Sequence, residues 1–284
     1  MTQTVFLVIG LSSILSNCYC QDINLDRTID IPVIFHVIFS DRSHAGTDGS
    51  NTDENVPTEL LRKELEDLHK DFLLLNSDTS QVLPMYKGRI TNPNVNFFFA
   101  DTILQKDGEK GIIRVNTKRN KHKLFKRSKI IKPSTYLNVY VGNIGGSLTY
   151  SNTPWGWEDR DAVFLGFEWV GLGYRLLTHE TGHWCGLVHL WGTGGPTGDS
   201  QSCTVGDSIA DTPPQKEATE TNADCKTCPP PFGEATDKSC VAGVPSNFNN
   251  FMDYSGCRKM FTKEQVVQIR RNLMTHRRDI WDAK

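Results

Sequence analysis

Three histidines and one glutamate lie within eleven residues of each other near the middle of the chain. They form an H-E-x-x-H pattern extended to H-E-x-x-H-x-x-G-x-x-H, made by His179, Glu180, His183, Gly186 and His189. On a helix, residues four apart share one face, so His179 and His183 can bind one metal ion together. Glu180 then lies beside the open coordination position, where a carboxylate can act as a general base.

The third histidine requires a break in that helix. In a continuous helix the side chain of His189 would be rotated ~240° from that of His183. Gly186 supplies the break, because glycine adopts a left-handed turn without steric cost. Three neutral imidazoles with an open position are typical of a catalytic zinc site, in which the pKa of bound water falls to about 7. The pattern therefore predicts hydrolysis, with Glu180 taking the proton of the water and later giving it to the leaving amine.

Three other interpretations compete with this one. The histidines could be incidental core residues of a helix, although fixing Gly186 and His189 lowers the chance occurrence of the motif about four-hundredfold. The chain could also be a secreted zinc-binding or inhibitory protein without turnover, against which the intact Glu180 argues. A third alternative is a regulatory protein that contacts an anionic surface through residues 118–132, which hold eight basic side chains and no acid.

Composition limits the remaining choices. The chain has 284 residues, 38% of them hydrophobic and 23% charged, which is typical of a folded globular protein. Its formal net charge of -2 gives no electrostatic reason to expect nucleic acid as a partner. Its length is enough to bury one substantial core without the help of metal or disulfides.

The N-terminus predicts export. Residues 4–15 form an apolar run that is too short to span a bilayer but suits the core of a signal peptide cleaved after Cys20. No later stretch reaches about 18 uninterrupted apolar residues, so we expect no transmembrane segment. The predicted product is a secreted, extracellular protein.

Periodicity predicts a sheet with helices. The strand candidates are rich in β-branched and aromatic residues, and they cover 31–39, 95–100, 111–115, 136–141 and 162–167. A helix opened by Pro57 carries an apolar stripe with Glu, Lys and Asp opposite, formed by Leu61, Leu65, Leu68, Phe72 and Leu75. A last helix begins with a capping box at Thr262 and Gln265. These elements predict an α/β or α+β domain.

Six cysteines remain after removal of the signal peptide, and five of them lie between residues 203 and 257. In an exported chain such density predicts disulfides that crosslink the loop-rich stretch 191–250, but six cysteines allow 15 connectivities and the residues alone do not choose among them. The C-x-x-C of Cys225 and Cys228 is a weaker signal for a structural zinc or redox site, because no second pair accompanies it.

The extended zinc motif, together with the sequence Phe251-Met252-Asp253-Tyr254, resembles the metzincin clan and, within it, the pappalysin (cytophagalysin) family of secreted metalloendopeptidases. The likeness runs from about Ile31 to Ile269. It implies a metzincin-like zincin fold, in which a twisted mixed sheet and a zinc-binding active-site helix precede a disulfide-rich C-terminal subdomain. The expected boundaries are 1–20 for the signal peptide, 21–30 for a short N-terminal or pro segment and 31–284 for the catalytic domain, divided into 31–190 and 191–284.

The resemblance also implies roles for individual residues. Met252 would form the Met-turn beneath the zinc ligands, and Tyr254 would steady the oxyanion. The substrate would lie antiparallel to an edge strand near residues 145–150, for which a simple glycine-containing connection is the alternative. Calcium is a further cofactor of certain relatives, which the acid-rich loops permit.

The family pattern implies disulfides as well. Carried onto this chain, it pairs Cys203 with Cys240, and Cys257 with Cys225 or Cys228. Cys185 would then join the remaining member of that pair in a third bond or be a buried free thiol.

The chain departs from the family pattern in two places. No cysteine lies between Gln21 and Trp184 to serve a cysteine-based latency. Only Ser255 and Gly256 separate Tyr254 from Cys257, so a preference for basic substrate side chains does not follow from the resemblance.

Overall fold

The structure of the protein, a computed structural model, describes residues 23–41, 50–103, 108–117, 124–145, 149–155, 160–219, 228 and 237–283. The expected signal peptide, part of the basic segment and Cys225 lie outside the described residues.

The sheet is built around strand β1, Ile29–Phe39, whose apolar side chains are mostly buried. β2 (Val95–Phe99) and β3 (Ile112–Asn116) lie end to end along one side of β1, since they pair with its first and second halves. β4 (Leu137–Gly142) pairs with the other side. All three partners run parallel to β1. Parallel strands are usually covered on both faces, which explains why the sequence of β1 is a nearly continuous hydrophobic run.

The sheet continues beyond β4 to its edge. β6 (Val163–Gly166) runs parallel to β4, and β5 (Thr149–Ser151) pairs antiparallel with β6 as the last strand in the order β2-β1-β4-β6-β5. The predicted strands are confirmed to within one or two residues, and the mixed sheet confirms the expected fold class.

The first helix, α1, covers Thr58–Phe72 and packs its apolar stripe against the core. The prediction for Leu75 is wrong, because the chain leaves the helix through Leu74 at φ 55 and the Leu75 side chain is 61% exposed. The expectation that the acids of this helix lie opposite the core is wrong for Glu64 and Asp71, both of which are buried.

The other α-helices within the described residues are α2 (Pro84–Lys87), α3 (Leu176–Trp184), α4 (Lys263–His276) and α5 (Arg278–Asp282). The capping box that opens α4 is confirmed, since Thr262 accepts from the Gln265 amide and the Gln265 side chain accepts from the Thr262 amide. One hydrophobic core joins the sheet with α1, α3 and α4. Across the described stretches, no helix has both the length and the apolar composition needed to cross a membrane.

Candidate metal centre

Helix α3 carries the first two histidines of the motif. His179 and His183 lie one turn apart, and their Nε2 atoms are 3.1 Å from each other. The helix lies within the core, so most of its side chains are buried on every face. Burial of the helix therefore fixes the position of both rings.

His189 reaches the same point after a reversal of the chain. Gly186 has φ +86, and its amide and that of Leu187 donate to the carbonyls of His183 and Gly182. This is the glycine C-cap that ends many helices. The Nε2 atoms of His183 and His189 are 3.1 Å apart, so the structure brings the three imidazoles together.

The outward nitrogens of two rings are held by backbone carbonyls. Nδ1 of His179 donates to Phe251 O at 2.7 Å, and Nδ1 of His183 donates to Leu187 O at 2.8 Å. The ring of His189 stacks on Trp191 with a centroid distance of 4.5 Å. A proton on Nδ1 leaves the Nε2 lone pair free to bind a metal, which is the usual outer-shell arrangement of zinc histidines.

The electrostatic surroundings keep the three rings neutral. Burial lowers the pKa of His179 and of His183, and burial with the neighbouring His183 lowers the pKa of His189 to about 3. Neutral imidazoles that converge on one point fit Zn²⁺ in both donor type and number. Among the described residues, these three form the one group of three His, Cys, Asp or Glu side chains close enough to hold one ion.

Glu180 lies on the same helix and is 5% exposed. Burial raises the pKa of its carboxyl to about 8, and the positive charge of Arg258 opposes that rise. A carboxylate in such surroundings binds a proton more strongly than one in water, which suits a general base. The sequence analysis did not predict that Arg258 acts on Glu180, because no recognisable motif surrounds Arg258.

Met252 lies beneath α3 and is fully buried. A Cβ at Gly182 would overlap its sulfur, so the glycine allows the loop to pack closely against the helix. The Met252 amide donates to Asn250 Oδ1 at 2.9 Å, and the preceding residue, Phe251, holds His179. The position agrees with an apolar floor below the histidines.

Tyr254 stands at the same cluster. Its ring centroid lies 4.9 Å from that of His189 and 5.5 Å from that of His179, and the side chain is 38% exposed. The phenol therefore lies at the accessible side of the three histidines, where it can meet a bound molecule.

The edge strand expected near residues 145–150 corresponds to β5, which contacts α3. Tyr150 is 39% exposed on this strand, and residues 146–148 lie outside the described part of the chain. A strand at the edge of a sheet offers backbone groups to an added strand.

Two disulfides join described residues of the C-terminal region, Cys203–Cys240 and Cys228–Cys257. Cys185, directly after α3, is a buried free thiol, and burial raises its pKa to about 12. The second bond joins the chain just after Tyr254 to the loop region.

Sequence reasoning missed the acids that hold the start of α3. Glu64 accepts from the amides of Gly171 at 2.8 Å and Leu177 at 3.4 Å, and Asp71 accepts from the Thr178 hydroxyl at 2.8 Å. An acid placed at the start of a helix complements the positive end of its dipole. No local pattern identified this role, because both acids come from α1.

Comparison with known proteins agrees with this geometry. Residues 172–274 match the model of peptidase family M43, described as pregnancy-associated plasma protein-A. Extracellular metalloprotease 1 of Coccidioides posadasii is 26% identical over 262 residues, which cover 87% of this chain and 77% of that protein. An extracellular metalloprotease of Arthroderma otae is 36% identical over 97 residues, and the matched segment covers 34% of this chain and 30% of that protein's length.

Solved structures share the fold. Promirolysin of Tannerella forsythia superposes with a TM-score of 0.69 at 24% identity, covering 90% of this chain and 84% of that one. Mature mirolysin, solved in complex with a cleaved peptide, gives a TM-score of 0.62 at 23% identity, covering 90% and 99%.

Proposed function

Because the chain belongs to the pappalysin family of metalloproteases, we propose that it is a secreted zinc-dependent endopeptidase that hydrolyses peptide bonds of extracellular proteins. The convergence of His179, His183 and His189 on one point carries this proposal. Three imidazoles leave a coordination position open, as catalytic zinc sites require.

His179, His183 and His189 would hold the zinc ion. When bound there, zinc supplies a Lewis acid and lowers the pKa of coordinated water to about 7. The carbonyls of Phe251 and Leu187 keep two of the rings in the tautomer that binds metal.

Glu180 is the general base of the proposed reaction. It takes a proton from the water that attacks the substrate carbonyl, and it delivers that proton to the leaving amine. Its burial excludes bulk water and raises the pKa of its carboxyl, which favours uptake of the proton, whereas the positive charge of Arg258 opposes that rise.

Tyr254 and Met252 complete the site. The phenol of Tyr254 donates to the negative charge that develops on the substrate carbonyl oxygen. Support for this role comes from its position at the exposed side of the histidine cluster. Met252 packs under α3 as an apolar support and does not bind the metal.

The substrate lies antiparallel to β5. In the order of the described strands β5 is the last, and it contacts the helix that bears Glu180. Backbone hydrogen bonds to an edge strand bind an extended peptide independently of its side chains. This mode of binding accounts for how an endopeptidase holds the interior of a chain.

Hydrolysis of a quenched peptide library by the purified protein tests the proposal. We expect cleavage by the wild type, loss of cleavage with a chelator, and recovery on addition of zinc. Glu180→Gln should keep stoichiometric zinc and lose turnover. A wild-type protein that binds zinc without cleaving any peptide would instead be a silent zinc-binding protein.

Secretion and processing form part of the same proposal. The signal peptide covers 1–20, a short N-terminal or pro segment follows over 21–30, and the catalytic domain covers 31–284, with subdomains 31–190 and 191–284. Two disulfides and relatives named as extracellular metalloproteases support export. N-terminal sequencing of the protein from culture medium should show a new terminus after Cys20, and retention inside the producing cells would contradict secretion.

Calcium binding and contact of residues 118–132 with an anionic surface stay predictions. Half of the basic side chains in that segment lie in its described part, and they are Lys126, Arg127, Lys129 and Lys132. Adsorption to heparin that weakens with salt and is unaffected by a chelator would support the surface contact.

A further inference from the structure

The C-terminal end of α3 is completed by side chains from the last part of the chain. The carbonyls of Gly182 and His183 accept from the amides of Leu187 and Gly186, respectively. The next two carbonyls, of Trp184 and Cys185, accept from the Arg277 guanidinium at 3.1 Å and from Asn272 Nδ2 at 2.8 Å. Carbonyls at the end of a buried helix require such partners.

Asn272 contacts the turn in a second way. A Cβ at Gly186 would overlap the side-chain amide of Asn272, so the glycine backbone packs directly on that amide. Asn272 is 6% exposed, and Gln268 donates to its Oδ1 at 3.1 Å. This bond leaves Nδ2 of Asn272 directed at the Cys185 carbonyl.

The turn controls two of the three histidines. The residue directly after Gly186 is Leu187, and its carbonyl accepts a hydrogen bond from Nδ1 of His183. Two residues later the backbone brings in His189, whose Nε2 lies 3.1 Å from that of His183. A change in the direction of the chain at Gly186 therefore displaces one ring and releases the hydrogen bond that orients another.

We propose that Asn272 is a positioning residue for the metal centre, which acts by holding the Gly186 turn in the direction that places His189. The inference rests on the proposed function, since it assigns the three histidines to zinc. Asn272 touches neither the ion nor the substrate. Its effect on catalysis passes through the Cys185 carbonyl, the turn and the two histidine rings.

The test is the zinc affinity of Asn272→Ala, measured by competition with a chromophoric chelator. We expect zinc to bind about tenfold more weakly, within the range for loss of an outer-shell contact. The matched control is Asn76→Ala, since Asn76 is also 6% exposed and its Nδ2 donates to the Lys259 carbonyl at 2.9 Å. The control should lose stability and keep the zinc affinity of the wild type.

A second measurement separates positioning from a general loss of stability. The visible spectrum of the cobalt-substituted protein reports the ligands and geometry of the site. We expect that spectrum to change in Asn272→Ala and to stay the same in Asn76→Ala. Should Asn272→Ala fail to fold, Gln268→Ala removes only the group that orients the amide, and we expect it to weaken zinc binding severalfold.

The possible results distinguish the two proposals. A folded Asn272→Ala or Gln268→Ala protein with wild-type zinc affinity and an unchanged cobalt spectrum would overturn the positioning role alone. A wild-type protein that binds no zinc would overturn the proposed function, and the positioning role with it.

Discussion

Gly182 of α3 lies directly over Met252, so closely that a side chain at the glycine would overlap the methionine sulfur. The glycine stands between the histidines at 179 and 183 in the helix, and the residue before the methionine holds Nδ1 of His179 through its carbonyl. A single loop therefore supports the helix from below and orients one of its rings. Because residue 182 has no side chain, the loop can come close enough for Met252 to pack on the helix and for the Phe251 carbonyl to bind His179.

Gly182→Ala should destabilise the protein and weaken zinc binding. Overpacking costs about 1–3 kcal/mol, and the better helix propensity of alanine offsets about 1 kcal/mol, so we expect a net loss near 1 kcal/mol. Zinc affinity should fall because Phe251 moves with Met252. Urea unfolding and a zinc titration measure the two effects.

Gly88→Ala is the control for that substitution. Gly88 has an ordinary φ of -70, and nothing lies within 4 Å of a Cβ placed there. We expect unchanged zinc affinity and equal or slightly higher stability. If Gly182→Ala behaved in the same way as this control, close packing on Met252 would have no role in the site.

Tyr254→Phe should separate turnover from metal binding. Loss of a hydrogen-bond donor to a developing oxyanion costs about 10²-fold to 10³-fold in kcat. We expect a fall in kcat toward that range with little change in KM or in zinc content. Tyr136→Phe is a suitable control, because the Tyr136 hydroxyl contacts Thr102 at 3.1 Å. A Tyr254→Phe enzyme with wild-type kcat would remove the tyrosine from the mechanism.

Much of this molecule follows from local patterns. The geometry of the histidine cluster could be predicted from the spacing of the motif. The helical period places His179 and His183 on one face, and Gly186 permits the chain reversal that brings in His189. The strands and the Thr262 capping box were also predictable, since hydrophobic runs and caps depend on neighbouring residues. Leu75 shows the limit, because the stripe of α1 continues in sequence beyond the point where the backbone leaves the helix.

The contacts that secure the site were not predictable in the same way. Asn272 donates to a carbonyl 87 residues away in sequence, and Glu64 accepts from an amide 113 residues away. The residues next to Asn272 and Glu64 in sequence do not reveal these contacts, because each partner is a backbone group that any residue type could present. In sequence, Glu64 is one of several acids on an amphipathic helix, and only the packing of α1 on α3 distinguishes it.

Glu64 also predicts a pH dependence of stability. Burial raises its pKa from 4.5 to about 7, whereas hydrogen bonds from Gly171 and Leu177 oppose the rise. Because the pKa is higher in the folded state, the folded protein binds more protons, and the contribution of Glu64 to stability is lost as pH rises from 4.5 to 7. Between pH 5.5 and 8 this loss amounts to about 2 kcal/mol.

Glu64→Gln isolates that contribution. The variant cannot ionise at residue 64, so the difference in unfolding free energy between wild type and variant should shrink by about 2 kcal/mol from pH 5.5 to 8. The variant also loses one acceptor, and because that loss is the same at each pH it does not affect the slope. Urea unfolding at both pH values measures it, and a pH-independent difference would show that the carboxyl ionises normally.

Arg277 and Asp161 form an ion pair at the other end of α3. The Arg277 guanidinium also lies 3.6 Å from the ring centroid of Trp184 and donates to the Trp184 carbonyl. Arg277→Met leaves the acid without this partner, and breaking a buried pair costs about 3–5 kcal/mol. Removal of the acid in the same molecule should recover part of that loss.

A double-mutant cycle with Arg277→Met and Asp161→Asn therefore tests the pair. We expect the double variant to be more stable than the sum of the single losses predicts, because the amide in place of the carboxylate carries no uncompensated charge. Urea unfolding of the four proteins gives the coupling energy. Single losses that add without coupling would show that Arg277 acts through Trp184 alone and that the ion pair contributes nothing to the end of the helix.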